Sequence, residues 1–212
     1  MIPSFSPRPY PWGKHLLCLL PCLLMLAWVG LIRGTGAEVA RYYAEQRLLH
    51  PSLTLTLTIL TYTLNPLFYL LYAAVFFKAW RRKDKALLRF VLVYAAVQIV
   101  VSFLLVRTLK ILVGKPRPDA MLAGTVYEPF TFKHGNHAFP SGHTTEVVTS
   151  TVPLAVRLRG IWPSLLLGLI TALTAYTRIF LGMHHIWDIC AGLALGSFAA
   201  CIIHLLCRER RT

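Results

Sequence analysis

The sequence predicts an all-α protein, folded as a polytopic membrane helix bundle with about six transmembrane helices. Hydrophobic residues make up 56% of the 212 residues and charged residues 14%. Several apolar runs are longer than the helices of a soluble core, and no internal repeat or low-complexity linker interrupts the chain. We therefore expect one membrane-embedded domain that covers residues 1–212.

The charge balance is strongly basic, with 22 Lys and Arg against 8 Asp and Glu. This surplus suits anionic lipid head groups, a phosphorylated substrate or nucleic acid, and composition alone does not choose among them. Most of the five cysteines fall inside apolar runs, where a thiol behaves as a small hydrophobic group. We expect neither a disulfide framework nor a CxxC metal or redox site.

The first apolar run, 15–32, follows Lys14 and predicts a spanning helix. The later "GTGA" also fits a signal-peptidase site, although the run is long for a signal peptide. The next segment, 37–50, is polar with interspersed Val, Tyr and Leu, a pattern that fits either a helix on the membrane surface or a connecting loop.

Five further apolar runs follow, and with the first they give about six spans. They cover residues 52–77, 88–109, 144–158, 161–180 and 188–206. The run at 144–158 is short and only marginally apolar, so we expect neighbouring helices to shield it. Asn65 and Pro66 interrupt the run at 52–77, where we expect a tolerated kink.

Basic loops predict the orientation. The segment 78–89, "KAWRRKDKALLR", holds six Lys and Arg, and "RLR" at 157–159 and "RERR" at 208–211 lie on the same side if about six spans are present. That side should be cytoplasmic, together with the N-terminus. The segments 110–142 and 178–187 then face outward, and they carry Lys110, Lys115, Arg117 and Arg178 against the positive-inside tendency.

Three segments at the outward ends of the spans carry chemical groups. In "KILVGKPRP", Lys110 closes a span and Arg117 stands between two prolines that stiffen its backbone. In "PSGH", Ser141 and Gly142 precede the run at 144–158, so free N–H groups at a helix N-terminus are available to an anion.

The third segment is "TRIFLGMHHIWD". Arg178 ends a span, and His184 and Asp188 share one helix face if the last helix begins near Gly182. Asp188 would then accept the Nδ1 proton of His184 and leave Nε2 free to attack phosphorus, while His143 would protonate the departing oxygen. Cations and N–H donors are the groups that stabilise a phosphoryl-transfer transition state.

The spacing of these groups resembles the three-part signature of the type 2 phosphatidic acid phosphatase superfamily. Six residues separate Lys110 from Arg117-Pro118, Pro140-Ser141-Gly142-His143 follows, five residues separate Arg178 from His184, and three more precede Asp188. Thr177 is the one departure, because the family usually has serine there, and it keeps the hydroxyl.

The resemblance implies a metal-independent lipid phosphatase without a cofactor. His184 would be the nucleophile, Asp188 its partner and His143 the acid, and phosphate would be held by Lys110, Arg117, Ser141, Gly142 and Arg178. We expect a phosphorylated membrane lipid as substrate and the bilayer as partner, with no nucleic acid. The candidate substrates are phosphatidylglycerophosphate, phosphatidic acid, undecaprenyl pyrophosphate and lipid A phosphates. We place the protein in a bacterial inner membrane with its site facing the periplasm, and the oligomeric state stays open.

Two other functions compete with this one. A phosphotransferase would pass the phosphoryl group from the same histidine to another lipid, and a non-enzymatic head-group binder or transporter would use only the cations.

Three neighbouring groups have less specific interpretations. His134 and His137 form an HxxH without a suitable third ligand, His185 would point away from His184, and Glu146 fits either a helix-dipole contact or a role beside His143.

Overall fold

The structure, a computed structural model, describes residues 9–207, which contain helices and no strand. The helices are α1 Trp12–Arg33, α2 Ala37–Leu49, α3 Pro51–Arg81, α4 Lys85–Val97, α5 Val106–Val113, α6 Pro118–Leu122, α7 Gly142–Arg157, α8 Trp162–Phe180 and α9 Ile186–Leu206. A π-helical segment, Gln98–Leu105, joins α4 to α5 without a break, and a single 3₁₀ turn covers His134–Asn136.

Within residues 9–207, five helices are long and apolar enough to cross a membrane. They are α1, α3, the stretch Lys85–Leu122 from α4 to α6, α8 and α9. The predicted all-α polytopic bundle is therefore confirmed. The run expected at 144–158 forms α7, which has 16 residues and lies inside the bundle.

Helix α7 lies against α1, α3, α8, α9 and the π-helical segment. This explains its marginal hydropathy, because its polar side chains face protein instead of lipid. Thr145, Thr149 and Thr151 are fully buried, and their hydroxyls donate to the carbonyl four residues earlier at 2.8–2.9 Å. The predicted shielding of this helix by its neighbours is present.

Glycines allow α9 to approach α7 closely. A Cβ on Gly192 would lie 2.8 Å from Ser141 O, and one on Gly196 would lie 2.6 Å from Val148 Cβ. Both distances are shorter than normal contacts, so only glycine fits at this helix spacing. The N-termini of α7 and α9 are thereby held next to each other.

The first apolar run, 15–32, and the polar segment 37–50 are both helical, as α1 and α2. Helix α2 packs on the bundle through Tyr43, which is buried with its ring centroid 6.0 Å from that of Tyr176 and 5.5 Å from that of Phe180. Helix α1 packs along α8. Helix α3 continues through Asn65 and Pro66, so the predicted interruption is tolerated.

The helix ends form two separate groups. At one end, Lys14 Nζ donates to Leu158 O and so joins the start of α1 to the α7–α8 turn. At the other end, hydrogen bonds link α2, the loop 114–141 and the start of α9, such as Arg47 Nη2 to Asp119 Oδ1 and Ser141 N to Asp188 O. All three predicted chemical segments meet at this second end. The "RERR" segment lies outside the described residues.

Candidate active site

Lys110 is in the last turn of α5, which ends at Gly114 in the left-handed conformation (φ +58°). A side chain at Gly114 would overlap the backbone of Glu128, because a Cβ would lie 1.7 Å from Glu128 O. The loop therefore folds back over the helix end. Lys110 Nζ reaches that loop and donates to His137 O at 2.7 Å.

Arg117 joins the first segment to the third. Its Nη1 donates to Met183 Sδ at 2.9 Å, and its Nη2 lies 3.0 Å from His134 Nε2. Its backbone N donates to Gly135 O at 2.7 Å, which fixes the residue between Pro116 and Pro118. The guanidinium is thus held beside the turn that carries His184.

Ser141 is the N-cap residue of α7 and is fully buried. Its Oγ accepts from Thr144 N at 3.4 Å, and its backbone N donates to Asp188 O at 3.0 Å. Gly142 and His143 follow in the first turn, where the backbone N–H groups have no intrahelical acceptor. The His143 ring lies edge-on to Tyr62, with centroids 6.4 Å apart.

Arg178 is buried in the last turn of α8, and its Nη1 donates to Thr61 Oγ1 of α3 at 3.0 Å. The chain then turns at Gly182, and the backbone N–H groups of Met183 and His184 both donate to Arg178 O. The cation and the candidate nucleophile are therefore connected through one short turn.

The predicted hydrogen bond between His184 and Asp188 is absent. Helix α9 begins at Ile186 and not near Gly182, so the two residues do not share a helical turn. His184 Nδ1 lies 4.0 Å from Asp188 Oδ2 and 2.6 Å from Ala138 O. Because a carbonyl only accepts, Nδ1 carries the proton and Nε2 keeps its lone pair. The tautomer of His184 expected from the sequence, with its proton on Nδ1, is thus fixed by Ala138 O and not by Asp188.

Asp188 instead has two other partners. The carboxylate is fully buried, with Oδ1 2.7 Å from Lys115 Nζ and Oδ2 accepting from the backbone N of His185 at 2.8 Å. It stands in the first turn of α9, where a negative charge favours the helix dipole. His185 Nε2 lies 3.2 Å from Pro116 O, so this ring contacts the loop.

The three candidate phosphate-binding cations lack carboxylate counter-ions among the described residues. Within residues 9–207, Lys110, Arg117 and Arg178 form no ion pair with a carboxylate. The Nε atoms of Arg117 and Arg178 are buried without a hydrogen-bond partner in the same residues. Unpaired buried charge is costly, and a bound anion would offset that cost. Burial, followed by these three cations, lowers the pKa of His184 well below its ordinary value, so the imidazole is neutral.

Sequence reasoning missed the contribution of α3. Thr61 contacts Arg178, and Asn65 Nδ2 donates to His143 O at 3.2 Å and to Glu146 Oε2 at 2.7 Å. The polar Asn65 within an apolar run was the available signal. Lys115 was recognised as an outward cation, but nothing in its spacing indicated a partner.

The HxxH histidines have separate partners. His134 lies beside Arg117, and His137 Nε2 lies 3.0 Å from Thr131 O. Across residues 9–207, no three His, Cys, Asp or Glu side chains are grouped so that they could hold a metal ion.

The family model described as the PAP2 superfamily matches residues 86–212. Among curated proteins, the chain is similar to a lipid A 4'-phosphatase of Bacteroides thetaiotaomicron, with 29% identity over 48% of this chain and 46% of that protein. It is also similar to a lipid A 4'-phosphatase of Porphyromonas gingivalis, with 31% identity over 32% of this chain and 28% of that protein. The chain spans less than half the length of either relative. No solved structure matches it.

Proposed function

The chain belongs to the PAP2 superfamily, and from this premise we propose that it is an integral membrane phosphatase that hydrolyses a lipid phosphate. The observation that carries the proposal is the group formed by Lys110, Arg117 and Arg178, three cations without carboxylate partners in the described residues. They lie at the same end of the bundle as a neutral histidine with a free Nε2. An anion with several oxygens could accept hydrogen bonds from all three cations and so offset their buried charge.

In the first step, Nε2 of His184 attacks phosphorus. The N–P bond forms as the bond from phosphorus to the lipid oxygen breaks, and His143, whose protonated form the bound phosphate anion favours, gives its proton to that oxygen. The Ala138 carbonyl keeps Nδ1 protonated and aims the ring. Charge on the equatorial oxygens is stabilised by the three cations and by the N–H groups at the start of α7.

In the second step, water attacks the phosphohistidine. The N–P bond breaks, His143 takes a proton from the water, and inorganic phosphate leaves. Fixed cations supply the charge neutralisation that divalent metals supply in other phosphatases, so we propose metal-independent hydrolysis. Asp188 acts on this site indirectly, by pairing with Lys115 and by holding the backbone of His185.

We propose a lipid A phosphate as the leading substrate, ahead of phosphatidylglycerophosphate, phosphatidic acid and undecaprenyl pyrophosphate. The similarity to two lipid A 4'-phosphatases supports this order. The site lies at the end of the bundle opposite the basic loop that includes Arg81, Arg82 and Lys83. By the positive-inside tendency, the site faces the periplasm from a bacterial inner membrane.

The test is a panel of the four lipid phosphates offered to the detergent-solubilised protein, with inorganic phosphate measured. We expect release from lipid A phosphate, inhibition by vanadate and full activity in EDTA. His184→Ala should abolish release, and Arg107→Ala, an exposed cation one turn before Lys110, is the matched control.

Three results would contradict the proposal. Release that is lost in EDTA and recovered with a divalent ion would exclude metal independence. Phosphate transfer to an added acceptor lipid in preference to water would favour the phosphotransferase. Absence of release for every lipid, with binding retained, would favour the non-enzymatic head-group binder.

A further inference from the structure

Arg47 of the surface helix α2 contacts two elements of the candidate site. Its Nη2 pairs with Asp119 Oδ1 at 2.6 Å, and its Nη1 donates to the carbonyl of Phe180. Asp119 lies two residues after Arg117, and Phe180 lies two residues after Arg178. One guanidinium therefore joins the backbone regions of two phosphate-binding cations.

The region that Arg47 contacts is closely packed. Gly182 has φ +64°, and a Cβ on it would lie 2.1 Å from Asp119 Oδ1. The Asp119 carboxylate thus lies directly on the turn that leads to His184. Arg47 Nη2 pairs with the same carboxylate oxygen, Oδ1, so the ion pair bears on the position of this turn.

Helix α2 is fixed firmly enough to transmit this constraint. Tyr43, one turn before Arg47, is buried against the rings of Tyr176 and Phe180 in α8. The Arg47 side chain is 16% exposed and that of Asp119 is 49% exposed, and Thr54 Oγ1 donates to the Arg47 carbonyl at 3.3 Å. The Arg47 end of the ion pair is therefore held by packing, and it restrains a half-exposed carboxylate.

We propose that Arg47 is a positioning residue, which holds the segment of Arg117 and Asp119 against the turn that carries Arg178 and His184. The role rests on the proposed function, and Arg47 lies outside the residues 86–212 that match the family. The two cations must contact the same phosphate as the nucleophile attacks. Small errors in such an arrangement lower the rate steeply, by up to about 100-fold for a displacement of 1 Å.

The experiment measures vanadate binding and turnover for Arg47→Ala. Vanadate affinity is read from the protection it gives against thermal unfolding, which does not require turnover. We expect affinity and kcat to fall at least about tenfold, with the melting temperature of the free protein nearly unchanged. Arg41→Ala removes an exposed cation from the same helix and should change neither quantity.

Asp119→Asn provides the second arm and tests the role if Arg47→Ala does not fold. It should weaken vanadate binding in the same direction, and the double variant should be no worse than Arg47→Ala. Arg47→Lys, which retains the charge and one contact, should recover part of the loss. Unchanged vanadate affinity in either folded single variant, or fully additive losses, would overturn the proposal. A wild-type protein that binds vanadate without releasing phosphate would contradict the proposed function and leave this test intact.

Discussion

His143 and His184 do different work in the proposed mechanism, and the leaving group separates them. An alkyl phosphate releases a strongly basic oxygen, for which general acid catalysis contributes about 10² to 10⁴ in rate. A nitrophenyl phosphate releases a weakly basic oxygen. We expect His143→Ala to lose activity toward the alkyl substrate and to recover partly toward the aryl substrate, whereas His184→Ala stays inactive toward both. Steady-state rates on the two substrates measure this, and rescue of His184→Ala alone would reverse the assignment.

The low pKa of His184 predicts the pH dependence. The attacking form is neutral, and burial together with Lys110, Arg178 and Arg117 lowers the pKa, so the neutral form persists as the pH falls below the ordinary value. Activity should therefore be retained below about pH 6.5, the unperturbed value for histidine. The measurement is kcat/KM against pH with a soluble phosphate ester. A loss of activity on lowering the pH from 8 to about 6.5 would contradict a neutral buried nucleophile.

Asp188 and Lys115 should behave as a coupled pair. Asp188→Asn leaves the Lys115 ammonium without its carboxylate, and breaking such a buried pair costs about 3 kcal/mol. Lys115→Met alone leaves the Asp188 carboxylate unpaired and should also destabilise the protein. We expect the double variant to recover thermal stability and part of the activity, as measured by unfolding in detergent and phosphate release. If Asp188 acted directly on His184, removing Lys115 would restore no activity to Asp188→Asn.

At the scale of the helices, the close approach of α9 to α7 holds the site together. Gly196→Ala would place a Cβ 2.6 Å from Val148 Cβ and push the helices apart. Such overpacking costs about 1–3 kcal/mol, and activity should fall because Ser141 N and Asp188 O separate. Gly13→Ala in α1 is the matched control, since nothing lies within 4 Å of its added Cβ. Equal melting temperatures for both variants would show that the α7–α9 spacing is not critical.

The helices and the site segments differ in how far the sequence predicted them. Long apolar runs indicated the spans, and fixed spacings indicated which side chains meet at one end. The start of α9 was placed too early because Asp188 was interpreted as one turn after a helical His184, whereas it stands in the first turn of a helix that begins at Ile186. The Ala138 contact depends on the path of a loop 46 residues away, and neither hydropathy nor spacing describes that path.

Packing also explains what the sequence left ambiguous in α2 and α7. The segment 37–50 had no strong periodicity, and its helix is stabilised by Tyr43 against α8 and by Arg47 at the site. Helix α7 is too polar for a lipid-facing span, and its threonines are satisfied by its own backbone. The placement of both helices depends on tertiary contacts, so it becomes visible only once the neighbouring helices are in place.

At the scale of the whole molecule, the two ends of the bundle differ in charge and chemistry. The α3–α4 loop carries Arg81, Arg82 and Lys83 at one end, and the three site segments meet at the other. A lipid tail can stay in the bilayer while its phosphate reaches the second end. From the positive-inside tendency and the attraction of basic residues to anionic lipid head groups, we expect the basic end to face the cytoplasm.

Reporter fusions should therefore place residue 83 inside the cell and residues 125 and 183 outside. Residues 125 and 183 must share a side, because Arg117 contacts Met183 and His184 contacts Ala138 across the two segments. A reversed result for all three positions would contradict the periplasmic orientation and leave the chemistry unchanged, since the same groups would still meet at one end. Opposite sides for residues 125 and 183 would separate Arg117 from His184 by the thickness of the bilayer, about 30 Å of hydrocarbon, and no shared phosphate site would remain.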